Sequence, residues 1–291
     1  MKYPIQQFLK DYPNDEACLD KILELRYGSS PSCPGCNRKT TFHRIKKRRA
    51  YACQFCGHHI YPCVGTPFEK SRTPLRLWFY AMYLFTATRH GVSGKELERQ
   101  LGVTYKTAWR MADKLRELMK QAQRKEPMSG YVEVDEAYFG GRSTGKVGRG
   151  AKGKTPVLGM AQRKGPIRAM MVPDIKTKTI LPIIRDSIEK GTTIYSDQLN
   201  IYDSISCMGY DHKRIMHSYG LYVMGEIHTN TVEGFWSLMK RSIRSTHIHV
   251  SQKHLPKYIS EFSFRYNNRN QPGSMFERLV SFLARQQSIE H

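Results

Sequence analysis

The stretch YVEVDEAYFGG, which runs from Tyr131 to Gly141, decides the fold of the larger part of this chain. Its aromatic and β-branched residues predict a β-strand, although the carboxylates of Glu133, Asp135 and Glu136 fall within four positions. A buried carboxylate is costly unless a partner or a cation offsets its charge. We expect Glu133 and Glu136 to alternate away from Asp135, and Asp135 to face a cavity in which a metal offsets its charge.

The charge of the whole chain is strongly positive, because 47 Lys and Arg residues stand against 25 Asp and Glu residues, for a formal net charge of +22. Such a charge opposes compaction unless a polyanion is near, and nucleic acid is the usual one. An anionic membrane surface and a merely solvated basic surface are the alternatives. The absence of a long apolar run predicts no transmembrane helix, and the first twenty residues lack a signal-peptide pattern. We therefore expect a cytoplasmic protein, associated with the nucleoid in a prokaryote.

Two short cysteine motifs lie near the start of the chain, CPGC at 33–36 and CQFC at 53–56. Two such knuckles separated by sixteen residues fit a tetrahedral Zn²⁺ held by four thiolates, here Cys33, Cys36, Cys53 and Cys56. Four thiolates close the coordination sphere, so we expect a structural zinc. The basic segment between the motifs resembles a nucleic-acid-binding zinc ribbon, and a solvated charged hairpin is the alternative.

A helical segment follows the cysteine region. Residues Thr73–Gly91 are largely apolar and predict a buried helix, and residues Ser93–Leu118 predict two helices separated by a turn at Gly102. This order is typical of a helix-turn-helix, and any helical hairpin gives a similar pattern. The exposed start of the last helix carries Lys106 and Arg110, for which we predict contacts with DNA.

After this helical segment the sequence predicts β-strands together with helices. We predict strands at 131–140, 156–164, 167–174, 192–198 and 212–217, and helices at 177–191, 228–246 and 255–269. Three antiparallel strands, a crossover helix, two further strands and flanking helices are the order of an RNase H-like α/β fold with a mixed sheet. The predicted domains are an N-terminal region with the zinc ribbon at 1–70, a helix-turn-helix-like segment at 71–128 and this core at 129–291.

Three acids occupy separate elements of the predicted core. Asp135 lies in the first strand, Asp197 ends the fourth strand and Glu233 lies on a later helix. If these elements pack as predicted, the three carboxylates converge and can hold two Mg²⁺ ions, or Mn²⁺, since such ions prefer hard oxygen ligands. Two ions about 3.5–4 Å apart serve phosphodiester chemistry.

The motifs VEVDEAYFGG, YSDQ and EGFWSLMKR, together with CPGC…CQFC…VGTPFEKSRTPL, resemble the DDE transposases of the insertion-sequence 1595 type, also called ISXO-like and related to the Merlin elements. The resemblance extends from about Asp11 to Arg269. It implies a DNA transposase that cuts transposon ends and joins them to target DNA. It also implies that Asp135 and Asp197 are the first two catalytic acids and Glu233 the third.

Members of this family carry either Asn or Glu at the third catalytic position, so two residues of this chain are candidates for it. HTNTVE offers both Asn230 and Glu233, and we favour Glu233 because Lys240 follows two helical turns later on the same face. Lys240 matches the family's trailing lysine, and Lys240 and Arg241 are predicted to contact DNA. Asn230 is a candidate accessory ligand, and His228 is a candidate for orienting phosphate or water, with a structural hydrogen bond as the alternative.

The resemblance leaves several functions to compare. The first is an active transposase that nicks DNA with water and then uses the freed 3′-OH to attack target DNA. The second is a catalytically silent DNA-binding protein derived from such an enzyme, and the third is an RNase H-like nuclease. Because transposition brings two ends together, we expect a homodimer or a higher oligomer on DNA.

Overall fold

The computed structural model describes residues 3–123, 126–140, 153–215, 228–270 and 274–285. The helices in these ranges are α1 (Ile5–Asp11), α2 (Asp15–Tyr27), α3 (Leu75–Ala87), α4 (Gly94–Leu101), α5 (Tyr105–Gln121), α6 (Thr177–Ser187), α7 (Asn230–Ser242), α8 (Leu255–Asn268) and α9 (Met275–Ser281). The strands are β1 (Phe42–Arg44), β2 (Tyr51–Cys53), β3 (His59–Ile60), β4 (Tyr131–Phe139), β5 (Thr155–Gln162), β6 (Ile167–Met171), β7 (Thr193–Ser196) and β8 (Asp211–Arg214). There are also 3-10 helices at Asn200–Met208 and Phe282–Arg285, and a π-helix at Ile243–His247.

The chain divides into two compact units, one formed by Met1–Leu118 with Gln271–His291 and the other by Met119–Asn270. The last helix belongs with the N-terminal part because Phe276 packs its ring against those of Phe8 and Tyr12, with centroids 5.8 Å and 5.7 Å apart. We predicted a core at 129–291, and the residues from Gln271 onward cluster instead with the N-terminal residues. The division at residues 70 and 128 into separately acting domains remains a prediction.

The N-terminal unit contains a small antiparallel sheet in the order β1-β2-β3. Its helix α3 is buried along one side, with Leu75, Trp78 and Phe79 almost fully enclosed. The carboxylate of Asp15 on α2 accepts hydrogen bonds from the first backbone N–H groups of α3, those of Leu75 and Arg76, each at 2.9 Å. This contact satisfies donors that a helix start leaves unpaired, and it joins the two helices.

The predicted helix-turn-helix segment consists of α4, a turn and α5. The hydroxyl of Ser93 accepts a hydrogen bond from the N–H of Glu96 at 3.1 Å and begins α4. Gly102 ends α4 with φ +63°, a left-handed conformation that glycine adopts without strain. Thr104 then receives the N–H of Thr107 and begins α5. No helix in the described residues is long and apolar enough to cross a membrane.

The second unit is built on a mixed sheet in the order β6-β5-β4-β7-β8. Strands β4, β5 and β6 pair antiparallel, whereas β7 pairs parallel to β4 and β8 pairs parallel to β7. The helix α6 connects β6 to β7, as the crossover predicts. The predicted α/β order and the position of β7 next to β4 are therefore confirmed. The strand predicted at 212–217 is shorter, and residues 216 and 217 lie outside the described residues.

Helices cover both faces of this sheet. On one face Val132 and Val134 of β4 pack with Ile180 and Ile184 of α6 and with Tyr202 of the 3-10 helix. On the other face β4 and β5 pack with α7 and α8; the buried residues there include Ala137, Phe139, Val157, Val232, Phe235, Trp236, Ile259 and Phe262. Because successive side chains of a strand point to opposite faces, Asp135 lies on the α7 face.

Candidate active site and zinc cluster

The four predicted zinc ligands come together in the structure. The sulfur atoms of Cys33, Cys36, Cys53 and Cys56 all lie within 4.8 Å of one another. The Cys33–Cys56 sulfur distance is 3.6 Å and the Cys36–Cys53 distance is 3.9 Å. A tetrahedral zinc with Zn–S bonds of about 2.3 Å separates its sulfurs by about 3.8 Å. The spacing of these sulfurs therefore fits a structural zinc.

Backbone N–H groups are directed at two of these sulfur atoms and would stabilise their thiolate forms. The N–H of Gly35 points at the sulfur of Cys33 at 3.3 Å, and the N–H of Phe55 points at the sulfur of Cys53 at 3.4 Å. Each knuckle therefore turns its own N–H groups toward a ligand that carries negative charge when it binds metal. The nearby Cys63 is buried and is not part of the cluster.

The three predicted acids lie on elements that meet on one side of the second sheet. Asp135 is central in β4, and Asp197 directly follows β7, the parallel neighbour of β4. Glu233 lies in the first turn of α7, the helix that packs on β4. The sheet thus places two of the carboxylates on adjacent strands, and the helix brings the third to the same face.

The electrostatics of Asp135 report this proximity. Burial, together with the negative charges of Asp197 and Glu233, raises the pKa of Asp135 from 3.8 to about 7, and the hydrogen bonds from the backbone of Glu136 and from Trp236 oppose this rise. A group of like charges beside a buried carboxylate disfavours ionisation unless a cation joins them. The donor set is all oxygen, so it suits Mg²⁺ or Mn²⁺ rather than zinc.

Each of the three acids has a hydrogen bond that orients it. The indole N–H of Trp236 donates to Asp135 at 3.1 Å, and the N–H of Leu199 donates to Asp197 at 3.0 Å. The hydroxyl of Thr229 donates to Glu233 at 2.6 Å. Among the described residues, only the four cysteines form a group whose ligand atoms all lie within 4.8 Å of one another, so the oxygens of these three acids are spaced more widely.

Glu133 does not face away from Asp135, so our prediction for this residue is wrong. Residues two apart on a strand share a face, and Glu133 is fully buried on the α7 face. Its carboxylate accepts hydrogen bonds from the N–H groups of Thr231 and Val232 at 2.7 and 3.1 Å and from the hydroxyl of Thr231 at 2.8 Å. Arg163 balances the charge at 3.0 Å. Glu133 therefore anchors the first turn of α7, the turn that carries Glu233.

Glu136 does face away, as we predicted. Its carboxylate accepts a hydrogen bond from the hydroxyl of Tyr202 at 2.9 Å, on the opposite side of the sheet from Asp135. The alternation of the strand thus separates Glu136 from the other acids of β4. Glu136 has a structural contact on that side.

Sequence reasoning missed Gly159, which pairs with Asp135 across the β4–β5 ladder. A Cβ atom at Gly159 would lie 2.3 Å from the ring of Trp236. The missing side chain lets this indole lie against β5 while it donates to Asp135. A glycine inside a predicted strand is the signal of such a close approach.

Lys240 lies near enough to Asp135 for the charge of that carboxylate to act on it. Burial lowers the pKa of Lys240, and the carboxylate of Asp135 opposes this change. Its ammonium nitrogen is 5.8 Å from the ring centroid of Phe139 at the end of β4. Arg241, the next residue, is exposed. Contacts of these two cations with DNA remain a prediction.

The other predicted DNA contacts lie on α5. Lys106 and Arg110 are both exposed, and a nitrogen of Arg110 is 3.5 Å from the hydroxyl of Thr73. Tyr105 and Trp109 are exposed beside them, with 45% and 39% of their surface accessible. Sequence reasoning missed Trp109 as part of this aromatic and basic surface, a composition typical of nucleic-acid-binding proteins.

The two accessory candidates flank the start of α7. Asn230 is exposed at its first position. A ring nitrogen of His228 lies 3.2 Å from Glu133, and its carbonyl oxygen accepts from Arg163 at 2.9 Å. The close ring contact lacks hydrogen-bond geometry. The backbone of His228 thus makes a structural contact, and the role of its ring remains a prediction.

Comparison with known protein families gives two matches in this chain. The ISXO2-like transposase domain matches residues 127–267, and the transposase zinc-ribbon domain matches residues 13–59. The first range contains Asp135, Asp197 and Glu233, and the second contains the four clustered cysteines.

Two similar proteins extend this comparison. An uncharacterised protein in the transposable element ISH50 of Halobacterium salinarum is 28% identical over 287 residues, which cover 91% of this chain and 95% of that protein. An uncharacterised transposase-like protein of Haemophilus influenzae is 28% identical over 105 residues, which cover 36% of this chain and 84% of that protein. The family matches confirm the resemblance seen in the motifs at residues 13–59 and 127–267, and the similarity to the ISH50 protein extends over 91% of this chain.

Proposed function

We propose that this chain, which belongs to the ISXO2-like transposase family of insertion sequences, is an active DNA transposase. In this proposal it cuts DNA at the ends of its element and joins the freed 3′ ends to target DNA. One observation carries the proposal: burial on the α7 face of the mixed sheet, together with the negative charges of Asp197 and Glu233, raises the pKa of Asp135. A bound cation would stabilise the ionised form of such a buried carboxylate.

The three acids would hold two Mg²⁺ or Mn²⁺ ions. When bound, such ions activate an attacking hydroxyl and stabilise the oxygen that leaves phosphorus. The oxygen of water attacks phosphorus, the bond to the 3′ oxygen breaks, and a 3′-OH is released. This 3′ oxygen then attacks a phosphorus of target DNA, the bond from that phosphorus to the target's own 3′ oxygen breaks, and the target's 3′-OH leaves. The hydrolysis is downhill and the transfer exchanges one phosphodiester for another, so the reaction needs no nucleoside triphosphate.

The contribution of the protein is to hold the carboxylates in place. Trp236 directs one oxygen of Asp135, and Thr229 directs one oxygen of Glu233. The anchor at Glu133 sets the start of α7, so the position of Glu233 depends on it. Such preorganisation matters because a small misplacement of a catalytic group lowers the rate strongly.

DNA recognition is assigned in this proposal to two surfaces. The first is the exposed side of α5 with Lys106 and Arg110, and the second is the end of α7 with Lys240 and Arg241. The zinc cluster would stabilise the ribbon that carries seven Lys and Arg residues between its motifs. Cations on these surfaces would contact phosphates and release counterions, so binding should weaken as salt increases.

The test uses the full chain with zinc and a duplex that copies the DNA flanking the gene. We expect strand cleavage and strand transfer with Mg²⁺, and loss of both in Asp135→Asn and Asp197→Asn. The matched control is Glu136→Gln, a change at a neighbouring acid on the other face of β4, which should retain activity. Binding with unchanged salt dependence in all variants would show that the acids act in chemistry and not in recognition.

Three results would contradict the proposal. Cleavage that persists in Asp135→Asn would remove the assignment of the active site. Specific binding of the duplex without cleavage at any Mg²⁺ or Mn²⁺ concentration would favour the catalytically silent DNA-binding protein. Preferred cleavage of an RNA–DNA hybrid over the flanking duplex would favour the nuclease.

A further inference from the structure

A small pocket of about 180 Å³ lies beside Lys240, between the end of β4 and the end of α7. Lys154, Lys240 and Arg244 line it with positive charge, and Phe139 and Ile248 line it with apolar surface. Sites for whole small molecules usually measure about 300–1,000 Å³. The pocket is therefore of a size for one unit of a longer ligand.

The charges at this pocket favour an anionic ligand. Arg244 and Lys154 both lower the pKa of Lys240 by repulsion, in addition to the effect of burial. Among the residues that the structure describes, no carboxylate lies within ion-pair distance of Lys240 or Arg244. Phosphate would offset this repulsion, because it accepts charge-assisted hydrogen bonds from both kinds of side chain.

The residue at the lip of the pocket has an unusual conformation. Ile248 has φ +64° and ψ −58°, and the N–H of His249 donates to the carbonyl of His247 at 2.6 Å across it. This is a γ-turn of the rare, strained kind, and positive φ is an outlier for a β-branched residue. Strain of this type persists only where the surrounding fold holds it, and it is typical of functional sites.

The strained turn holds an apolar side chain out into solvent. Ile248 is 85% exposed, more than any other large hydrophobic residue described in this chain. It directly follows the π-helix that extends α7, and such helices frequently occur at functional sites. Proteins that distort DNA insert isolated apolar side chains between bases in this manner.

We propose that this pocket binds a single nucleotide of the DNA strand next to the catalytic acids. Lys240 and Arg244 contact its phosphate, and Ile248 inserts between its base and the adjoining base pair. The charge of the pocket and the proximity of Lys240 to Asp135 select DNA as the occupant. This inference rests on the proposed function, which it deepens by assigning a wedge and a nucleotide subsite.

The experiment measures unstacking without cleavage. Asp135→Asn is used as the parent protein, and the probe is a duplex of the DNA flanking the gene with 2-aminopurine placed in turn at each of the last positions of the 3′ end. We expect a several-fold rise in fluorescence at one position when the parent binds. Adding Ile248→Gly to the parent should remove most of this rise. Adding Ile248→Met instead should keep it, because methionine also supplies a long apolar side chain.

The glycine variant separates function from folding. Glycine tolerates positive φ, so Ile248→Gly should unfold at the same temperature as the parent or a higher one. Met171→Ala, which shortens another exposed apolar side chain on β6, should keep the fluorescence rise. Lys240→Ala should weaken binding of the duplex. It should also reduce the slope of log binding constant against log salt concentration by about 1, as expected for the loss of one phosphate contact.

The outcomes distinguish this inference from the function on which it rests. Suppose that the unmodified protein cleaves the duplex. If the Asp135→Asn parent then leaves the 2-aminopurine fluorescence unchanged, or if adding Ile248→Gly does not reduce the rise, insertion of Ile248 is refuted and the transposase proposal stands. If the chain neither binds nor cleaves the duplex, both are refuted.

Discussion

Replacing Glu133 by glutamine tests how the start of α7, and with it Glu233, is held against the sheet. The carboxylate is fully buried and every partner described for it is a donor: Arg163, Thr231 and Val232. Glutamine has nearly the same shape but carries one NH₂ group in place of an acceptor oxygen. That NH₂ would face other donors, and Arg163 would lose its counter-charge.

The expected cost follows from these contacts. Removing one partner of a buried ion pair costs about 3–5 kcal/mol. Arg163 would keep its hydrogen bond to the carbonyl of His228 at 2.9 Å and its stacking on Tyr195, with 4.1 Å to the ring centroid, and its side chain is 17% exposed. The lower end of the range therefore applies, about 3 kcal/mol, which is about a hundredfold in an equilibrium constant.

Hydrogen exchange is the suitable assay, because the chain has two compact units and its global unfolding need not be two-state. In Glu133→Gln we expect the backbone amides of α7 to exchange about a hundredfold faster, while those of α4 and α5 are unchanged. DNA cleavage should fall in parallel, because Glu233 lies on the loosened turn.

The matched control is Glu136→Gln on the same strand. Glutamine at Glu136 retains an oxygen that can accept from Tyr202, so exchange in α7 should not change. Equal protection of α7 in Glu133→Gln and in the unmodified protein would refute the anchor. Equal acceleration by both variants would show a general loosening of the sheet instead.

Three further predictions concern the packing, the zinc and the titration. Gly159→Ala should destabilise the protein by about 1–3 kcal/mol in urea unfolding and slow cleavage, because its methyl group displaces the indole that orients Asp135, whereas Gly234→Ala, which meets open space, should not. Cys36→Ser should lose the zinc found by metal analysis, while Cys207→Ser, at an exposed cysteine outside the cluster, should retain it. In Mg²⁺-free buffer the raised pKa of Asp135 means that the folded chain keeps a proton that the unfolded chain loses, so stability should fall as pH rises from about 4 to about 7, and Asp135→Asn should remove this dependence.

Local patterns in the sequence were sufficient for the zinc cluster and for the order of elements. Two C-x-x-C turns constrain their own sulfurs, so the spacing of Cys33, Cys36, Cys53 and Cys56 already predicted the grouping that the structure has. The alternation of β4 and the apolar runs of its neighbours predicted strands, and their succession along the chain matched the order of an RNase H-like fold. The resemblance to a transposase family predicted that Asp135, Asp197 and Glu233 are the catalytic acids.

The sequence by itself determined which segments form strands, helices and the metal-binding turns, because those choices depend on residues a few positions apart. Tertiary structure decided the rest. Glu133 meets Thr231 across 98 positions of sequence, and the indole of Trp236 reaches Asp135 across 101. The strained turn at Ile248 persists only where the surrounding fold holds it. Such contacts depend on which faces pack together, and hydrophobic burial across the whole sheet sets that.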